Sequence, residues 1–346
     1  MRCSRFAVSL VLMLLVLNFP FSDHSAGDRI DDGNDSGTLI EKVELASFQG
    51  EVLIDPGDDH IVTLDPSGLR IDPEPEEQLD PAAEQALSGA PAWMVTDLEH
   101  KFRLLSSTDQ ETFGHLMIDA PEERFKDEIA FCIAHSTPET LRDDNFFPEM
   151  FTHNAELIYE HDQYLDYVRI VEKENFTTLA YRQADGSEVE LPRDIYYWFV
   201  VHPKLGDELP TYVDPEYDYT SDPPFDRNHG TAPPVGKFWR EWFFSHNKEG
   251  QPLLKDSLRG KNTTLDAIKA VNGWISSSMQ FTSNQERPVQ PVRIYEKGIG
   301  RCGEYQDMRS AAARAALIPV VATSNSAEDH VWNEFRDLEW YHWDGT

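Results

Sequence analysis

The chain has 346 residues, enough for one large or two ordinary domains, and 40% of them are hydrophobic, enough to fill a core. Its 62 acidic residues outnumber 30 basic ones, and the resulting net charge of -32 argues against a nucleic-acid partner. The three cysteines, Cys3, Cys132 and Cys302, are too few for a four-cysteine zinc site or a disulfide framework.

The first 27 residues have the pattern of a secretory signal peptide. Arg2 and Arg5 precede an apolar run from Phe6 to Leu17, and small residues at 25–27 offer a cleavage site. The run is too short to span a bilayer comfortably, although an uncleaved N-terminal anchor is the alternative. Both readings predict export to the periplasm, the cell surface or the exterior, and cleavage would leave no integral membrane span.

Residues 28–90 are acidic and show little helical periodicity, which predicts a partly disordered segment or linker. Two short runs within it, residues 42–45 and 60–64, have the composition of strands. Residues 72–77 are rich in proline and acid, as is typical of a linker.

Residues 91–235 are predicted to form a helical and then β-containing N-terminal domain. The helical pattern reaches about residue 167, and Phe125, Ile129, Cys132 and Ile133 fall on one apolar face. Cys132 is therefore interpreted as a buried small hydrophobic residue.

Alternation with a period of two follows between residues 167 and 201. It predicts a hairpin with its turn at residues 184–187 and a buried strand at 195–201. Residues 202–234 are rich in Pro, Asp and Tyr, which favours a long surface loop.

Residues 236–346 carry the clearest pattern. Thr263 and Asp266 form a capping box before an apolar helical repeat made of Leu265, Ile268, Val271, Ile275 and Met279. Glycines at 298, 300 and 303 surround Cys302, and an alanine-rich helix then runs to Pro319. Strands are predicted at residues 320–323, 330–335 and 340–344.

Cys302 is predicted to open that helix, where unpaired amides favour a thiolate and stabilise an oxyanion. A thiol nucleophile needs a base and a third group that orients the base. A hairpin centred on Asp337 would pair His330 with Asp344 and put both on one face with Trp332. His330 is thus the candidate base and Asp344 the candidate orienting acid.

Other polar residues near Cys302 receive structural interpretations. Glu304 and Asp307 are expected to cap the helix or bond to neighbouring loops, and Trp274 or Gln280 could supply an oxyanion donor. Core packing is the simpler interpretation of Trp274. No His-Glu-x-x-His spacing occurs, so we expect no metal ion and no cofactor.

The order Cys302, His330-Val331-Trp332 and Trp343-Asp344 resembles the transglutaminase-like superfamily of papain-like cysteine enzymes, as found in bacterial-type secreted proteins. The resemblance covers residues 262–346 and implies an α+β papain-like core, with the cysteine helix packed on an antiparallel sheet. It also implies catalysis through a thioester. The segment 301–305 looks most like the peptide N-glycanase version, but a zinc-binding Cys-x-x-Cys pair is absent.

The expected function is that of an exported cysteine acyl-transfer enzyme acting on amide bonds of a protein or peptide. Hydrolysis and Gln–Lys cross-linking both remain open, as do the substrate and the oligomeric state. The alternative is a non-catalytic exported binding or structural module with a vestigial fold. The sequence ends two residues after Asp344, as a C-terminally truncated domain would.

Overall fold

The computed structural model describes residues 60–65, 68–73, 78–217, 227–283, 286–325 and 330–343. The chain divides into two compact units, residues 1–71 and 72–346. Strands β1 (His60–Asp65) and β2 (Gly68–Pro73) form a two-stranded sheet, which confirms the strand expected at residues 60–64. The predicted signal peptide and the strand-like run at 42–45 lie outside the described residues.

The first part of the second unit is helical. Its helices are α1 (Pro81–Gly89), α2 (Val95–Arg103), α3 (Ser107–Ile118), α4 (Lys126–His135), α5 (Pro138–Arg142) and α6 (Glu149–Asp162). Helix α1 corrects the expectation of an acidic segment with little helical periodicity up to residue 90. The Asp80 carboxylate accepts a hydrogen bond from the Ala82 amide at 2.8 Å, and Pro81 is preorganised for the first turn.

A three-stranded antiparallel sheet follows, in the order β3 (Val168–Glu172), β4 (Thr177–Arg182) and β5 (Glu188–Glu190). The pairing of Arg182 with Glu188 places the hairpin turn where the sequence predicts it. Gly186 adopts a φ of 82°, a left-handed conformation that glycine adopts without steric cost.

The buried strand predicted at residues 195–201 is wrong. The segment forms helix α7 (Arg193–Tyr196) and a π-helical turn (Tyr197–Val201). Tyr196, Tyr197, Val200 and Val201 are fully buried, whereas Trp198 is 43% exposed. That spacing is helical, and a short run of aromatic and β-branched residues does not by itself distinguish a buried strand from a buried helix.

The segment after residue 201 is irregular, as expected, but it is not a surface loop throughout. Leu205, Leu209, Tyr212 and Val213 are each at most 6% exposed. The guanidinium of Arg314 donates to the carbonyls of His202 at 2.6 Å and Lys204 at 2.9 Å, which anchors the start of the segment.

The remaining elements carry the predicted catalytic region. Its helices are α8 (Trp239–Ser245), α9 (Leu254–Leu258), α10 (Thr264–Ser278), α11 (Pro291–Lys297) and α12 (Cys302–Ala315). Its strands are β6 (Gln280–Phe281), β7 (Ile299–Gly300), β8 (Val320–Asn325), β9 (His330–Arg336) and β10 (Trp340–Trp343).

Thr263 caps α10, since its hydroxyl accepts a hydrogen bond from the Asp266 amide at 3.2 Å, which is the N-cap half of the predicted capping box. Ile268, Val271 and Ile275 are buried as expected, but Leu265 is 41% exposed. Strands β8, β9 and β10 form an antiparallel sheet with β9 at its centre, and β6 pairs with β7 in parallel.

Helix α12 is the core element of this region. It packs against α8, α10, α11 and strands β8 and β9. The small side chains of Ala311, Ala312 and Ala313 are fully buried and allow these neighbours to approach closely. The chain is thus α+β, with a cysteine-bearing helix against an antiparallel sheet.

Side chains from the first half of the unit satisfy the C-terminal carbonyls of α12. The Tyr167 hydroxyl donates to the Ala316 carbonyl at 2.5 Å, and the Tyr181 hydroxyl donates to that of Leu317 at 2.5 Å. The ring of His161 lies 2.8 Å from the Ala315 carbonyl, and burial lowers its pKa to about 3, so a neutral ring donates there. Such carbonyls have no partner within a helix.

No helix in the described ranges is both long and apolar enough to cross a membrane.

Candidate active site

The segment that leads to Cys302 is shaped by two glycines. Helix α11 ends at Gly298, which has a φ of 64°, and Gly300 then pairs with Phe281 in the short parallel β6–β7 ladder. A methyl group built on Gly300 would lie 2.4 Å from Cβ of Glu304. Gly300 therefore allows close packing inside the loop.

Cys302 is the first residue of α12, as predicted, and it is half-buried and not in a disulfide. From Glu304 onwards, every residue of the helix except Gln306 is buried. The thiol thus stands where the helix meets the surface. A methyl group on neighbouring Gly303 would meet nothing closer than Nη2 of Arg287, at 3.7 Å.

Glu304 stabilises the first turn of α12. Its Oε2 accepts a hydrogen bond from the Arg301 amide at 2.9 Å, and its Oε1 accepts one from Nε of Arg287. The carboxylate is 2% exposed, so both oxygens are committed to these donors. The expected capping role of Glu304 is confirmed.

Arg287 is a residue that the sequence did not single out. It lies 15 positions before Cys302 and adopts a φ of 47°, which is uncommon for a residue other than glycine. Its side chain is 43% exposed although it pairs with the buried Glu304. Only the tertiary structure brings its guanidinium to the first turn of α12.

Asp307 faces the irregular segment at residues 205–208. A methyl group on Gly206 would lie 3.2 Å from Oδ1 of Asp307 and 3.6 Å from Oε2 of Glu208. Burial, followed by repulsion from Glu208, Asp207 and Glu304, holds the pKa of Asp307 well above its usual range. Asp307 is therefore buried against a neighbouring loop, as the sequence suggested, in surroundings that favour its neutral form.

Glu208 is also buried. Its carboxyl accepts hydrogen bonds from the amides of Leu205 at 2.6 Å and Gly206 at 2.8 Å. Burial nevertheless raises its pKa to about 7. Burial thus favours the neutral form of both carboxyls on the inner side of α12.

Strand β9 runs in the same direction as α12. The side-chain amide of Asn333 donates to the Gln306 carbonyl at 3.1 Å and to the Ser310 hydroxyl at 2.9 Å. The backbone N–H of Arg336 donates to the Pro319 carbonyl at 2.9 Å. Since Arg336 lies beyond the C-terminal end of α12, the first residue of β9, His330, lies toward the end where Cys302 begins.

The face of β9 that carries His330 is not the face that packs on α12. Side chains alternate along a strand, and buried Asn333 contacts the helix, so His330, Trp332 and Glu334 point to the opposite face. The rings of His330 and Trp332 stack with their centroids 5.8 Å apart. A Cys302–His330 contact would have to form beyond the packed interface, at the end of the helix.

The predicted register of the last hairpin is wrong by two residues. Glu334 pairs with His342 and Arg336 pairs with Trp340, so the turn is centred on Leu338 rather than Asp337. A shift of two preserves the face of every side chain, and the rings of Trp332 and His342 lie 5.7 Å apart on the shared face. Asp344 lies outside the described residues.

Trp274 and Gln280 were the two candidates for a side-chain oxyanion donor. The indole of Trp274 is buried, stacks on Tyr295 with centroids 5.2 Å apart and donates to the Pro252 carbonyl at 3.0 Å. Trp274 is thus a core residue. Gln280 is exposed on β6, which pairs with the loop before Cys302.

Within the described ranges, no group of three or more His, Cys, Asp or Glu side chains is arranged to hold a metal ion.

Residues 252–345 match the model of the transglutaminase-like superfamily. This part of the chain is a transglutaminase-like domain. The match covers the cysteine helix and the following sheet, which agrees with the papain-like α+β arrangement described above. No curated protein and no solved structure shows significant similarity to the chain.

Proposed function

We propose that the protein is an exported cysteine-dependent acyl-transfer enzyme that acts on amide bonds of proteins or peptides. In this proposal Cys302 is the nucleophile, His330 is the general base and Asp344 orients the imidazole. Residues 1–27 direct the chain to export.

The proposed reaction has two steps. The Cys302 sulfur forms a bond to the amide carbonyl carbon, the C–N bond breaks, and the thiol proton passes through His330 to the departing nitrogen. Ammonia or an amine leaves and a thioester remains. Water or a lysine amine then attacks the thioester, and the thiol regains a proton.

The observation that carries the proposal is the placement of Cys302 within a transglutaminase-like domain. The thiol is half-buried at the first residue of α12, while the helix behind it is held by buried contacts. Catalysis requires a reactive group fixed by a rigid scaffold and still open to substrate, and Cys302 meets both conditions.

A non-catalytic binding module is the second candidate. The observation that favours it is the orientation of β9, which turns His330 to the face opposite the one that packs on α12. The two candidates differ in whether Cys302 forms a thioester.

The decisive experiment is mass spectrometry of the full chain after incubation with a library of Gln-containing peptides. Acyl transfer predicts a transient adduct on Cys302 together with peptides that gain about 1 Da by deamidation or become linked to lysine. Cys302→Ser should remove both signals, and Cys132→Ala is the matched control that should retain them. The absence of any adduct on a folded wild-type protein would favour the binding module.

The base is tested separately. We expect His330→Ala to lower the rate of thioester formation on the order of 10³-fold or more, and Asp344→Asn to lower it less, because orientation is a secondary contribution. Full turnover by His330→Ala would remove the histidine from the mechanism and leave the nucleophile assignment intact.

A further inference from the structure

The guanidinium of Arg287 lies beside Gly303, the residue that follows the proposed nucleophile. Its Nη2 lies 3.7 Å from the position that a methyl group on Gly303 would occupy, and Gly303 directly follows Cys302. The side chain is 43% exposed at this point. It can therefore reach a molecule bound at the thiol.

Glu304 holds Arg287 by one edge only. The carboxylate accepts a hydrogen bond from Nε, and its other oxygen is occupied by the Arg301 amide at 2.9 Å. Guanidinium groups present five N–H donors in a planar fork that matches the two oxygens of a carboxylate. Contact through Nε leaves the remaining edge of that fork for a ligand.

The charge around Cys302 is opposite to that of the whole chain. Arg287 and exposed Arg301 contribute two positive charges, and Glu304 contributes one negative charge. Burial and its acidic neighbours raise the pKa of Asp307, which favours the neutral form of this carboxyl. In a chain with a net charge of -32, a cationic patch beside the thiol selects for anionic groups.

We infer that Arg287 is a specificity-determining residue that binds a carboxylate of the substrate, so that the preferred acyl donors are acidic peptides. The preference for acidic acyl donors rests on the proposed function, because it assumes that Cys302 carries out acyl transfer. Recognition of an anion at Cys302 is a property of the folded chain and can be measured without turnover.

The first test compares two alkylating reagents of similar size. Iodoacetate carries a carboxylate, whereas iodoacetamide is neutral, so the ratio of their rate constants at Cys302 reports attraction of an anion. We expect Arg287→Gln to lower this ratio about threefold, the effect of one charge a few ångströms away through solvent. Arg287→Lys should retain most of the ratio, and Arg259→Gln, which removes an exposed arginine that pairs with Asp256, is the control for loss of one positive charge.

The wild-type protein provides a measurement that does not depend on the folding of a variant. Raising the ionic strength from about 20 mM to about 500 mM should lower the ratio toward that of a free thiol, because salt screens the attraction. A ratio that is insensitive to salt and unchanged in a folded Arg287→Gln protein would overturn the inference.

The second test uses pairs of Gln-containing peptides that differ only by Glu or Gln beside the reactive residue. We expect the acidic peptide to have a several-fold lower KM, and Arg287→Gln to abolish the difference with a smaller effect on kcat. Equal use of both peptides would overturn the inference and leave the proposed function standing. If no peptide acylates Cys302, the proposed function fails, and the alkylation ratio still decides the role of Arg287.

Discussion

Helices α4 and α12 each carry one of the two described cysteines and a buried carboxyl, but the environments of these groups differ between the two helices. Cys132 of α4 is 1% exposed, and Glu128 one turn earlier is fully buried. The hydroxyl of Tyr196 donates to Glu128 at 2.8 Å, while burial raises the pKa of this carboxyl to about 8. Helix α4 therefore keeps its polar groups neutral inside the core.

Helix α12 keeps charge at its surface end instead. Cys302 is half-buried, and Glu304 pairs with the partly exposed guanidinium of Arg287. An arginine that reaches solvent costs less desolvation than a buried one, so an ion pair is favourable here. The comparison teaches that exposure of the helix start separates a structural cysteine from a candidate nucleophile.

The largest expected difference is in thiol reactivity. In the native protein, we expect iodoacetamide to modify Cys302 at least about 10³-fold faster than Cys132, because Cys132 becomes accessible only when the core opens. Burial, the nearby Glu128 carboxyl and their low-dielectric surroundings also raise the pKa of the Cys132 thiol far above its usual range. Peptide mapping of the alkylated protein measures both sites at once.

Denaturant provides the control for that measurement, since both thiols should then react at similar rates. Modification of Cys132 at a comparable rate in the native state would contradict the buried position of α4.

The second prediction concerns the pH dependence of stability and tests whether Glu128 is neutral. The pKa of Glu128 is raised from 4.5 to about 8. Its stabilising contribution to the free energy of unfolding is therefore fully present below pH 4.5 and is lost as the pH rises through 8. This group alone should lower the free energy of unfolding on the order of 3 kcal/mol between pH 5 and pH 8. Glu208 and Asp307 act in the same direction.

Glu128→Gln isolates that contribution, because the amide does not ionise. Urea unfolding across this pH range should show a shallower slope for the variant than for the wild type. At pH 5 the variant should be less stable, since Oε2 of Glu128 has no hydrogen-bond partner and an amide nitrogen there would bury a second donor. An unchanged slope would contradict the neutral carboxyl.

The smallest expected effect distinguishes the two glycines beside Cys302. Gly300→Ala should destabilise the protein by about 2 kcal/mol, because the added methyl group overlaps Glu304. It should also slow alkylation of Cys302, since Glu304 holds the helix start. Gly303→Ala meets only ordinary contact and serves as the matched control.

Thermal unfolding measures the stability of the two variants, and the rate of reaction with iodoacetamide measures the accessibility of Cys302 in each. Equal tolerance of both substitutions would indicate that the loop relaxes around Glu304 and that Gly300 is dispensable.

The candidate site was only partly predictable from the sequence. The cysteine at a helix start and the three strands after it follow from glycine spacing, the alanine-rich run and alternation, all of which are local signals. Arg287 was missed because a surface arginine in a loop has no local pattern. The hairpin register was missed because the sequence does not reveal the length of the turn, whereas its alternation correctly groups His330, Trp332 and His342 on one face.

The sequence by itself determined where α10 and α12 begin and the superfamily that residues 252–345 resemble. These properties depend on caps, periodicity and residue order within short stretches. Tertiary structure alone decided that residues 195–201 are helical, that Arg287 meets Glu304 and that burial raises the pKa values of Glu128 and Asp307. Burial and the approach of distant residues set those outcomes, and neither is encoded locally.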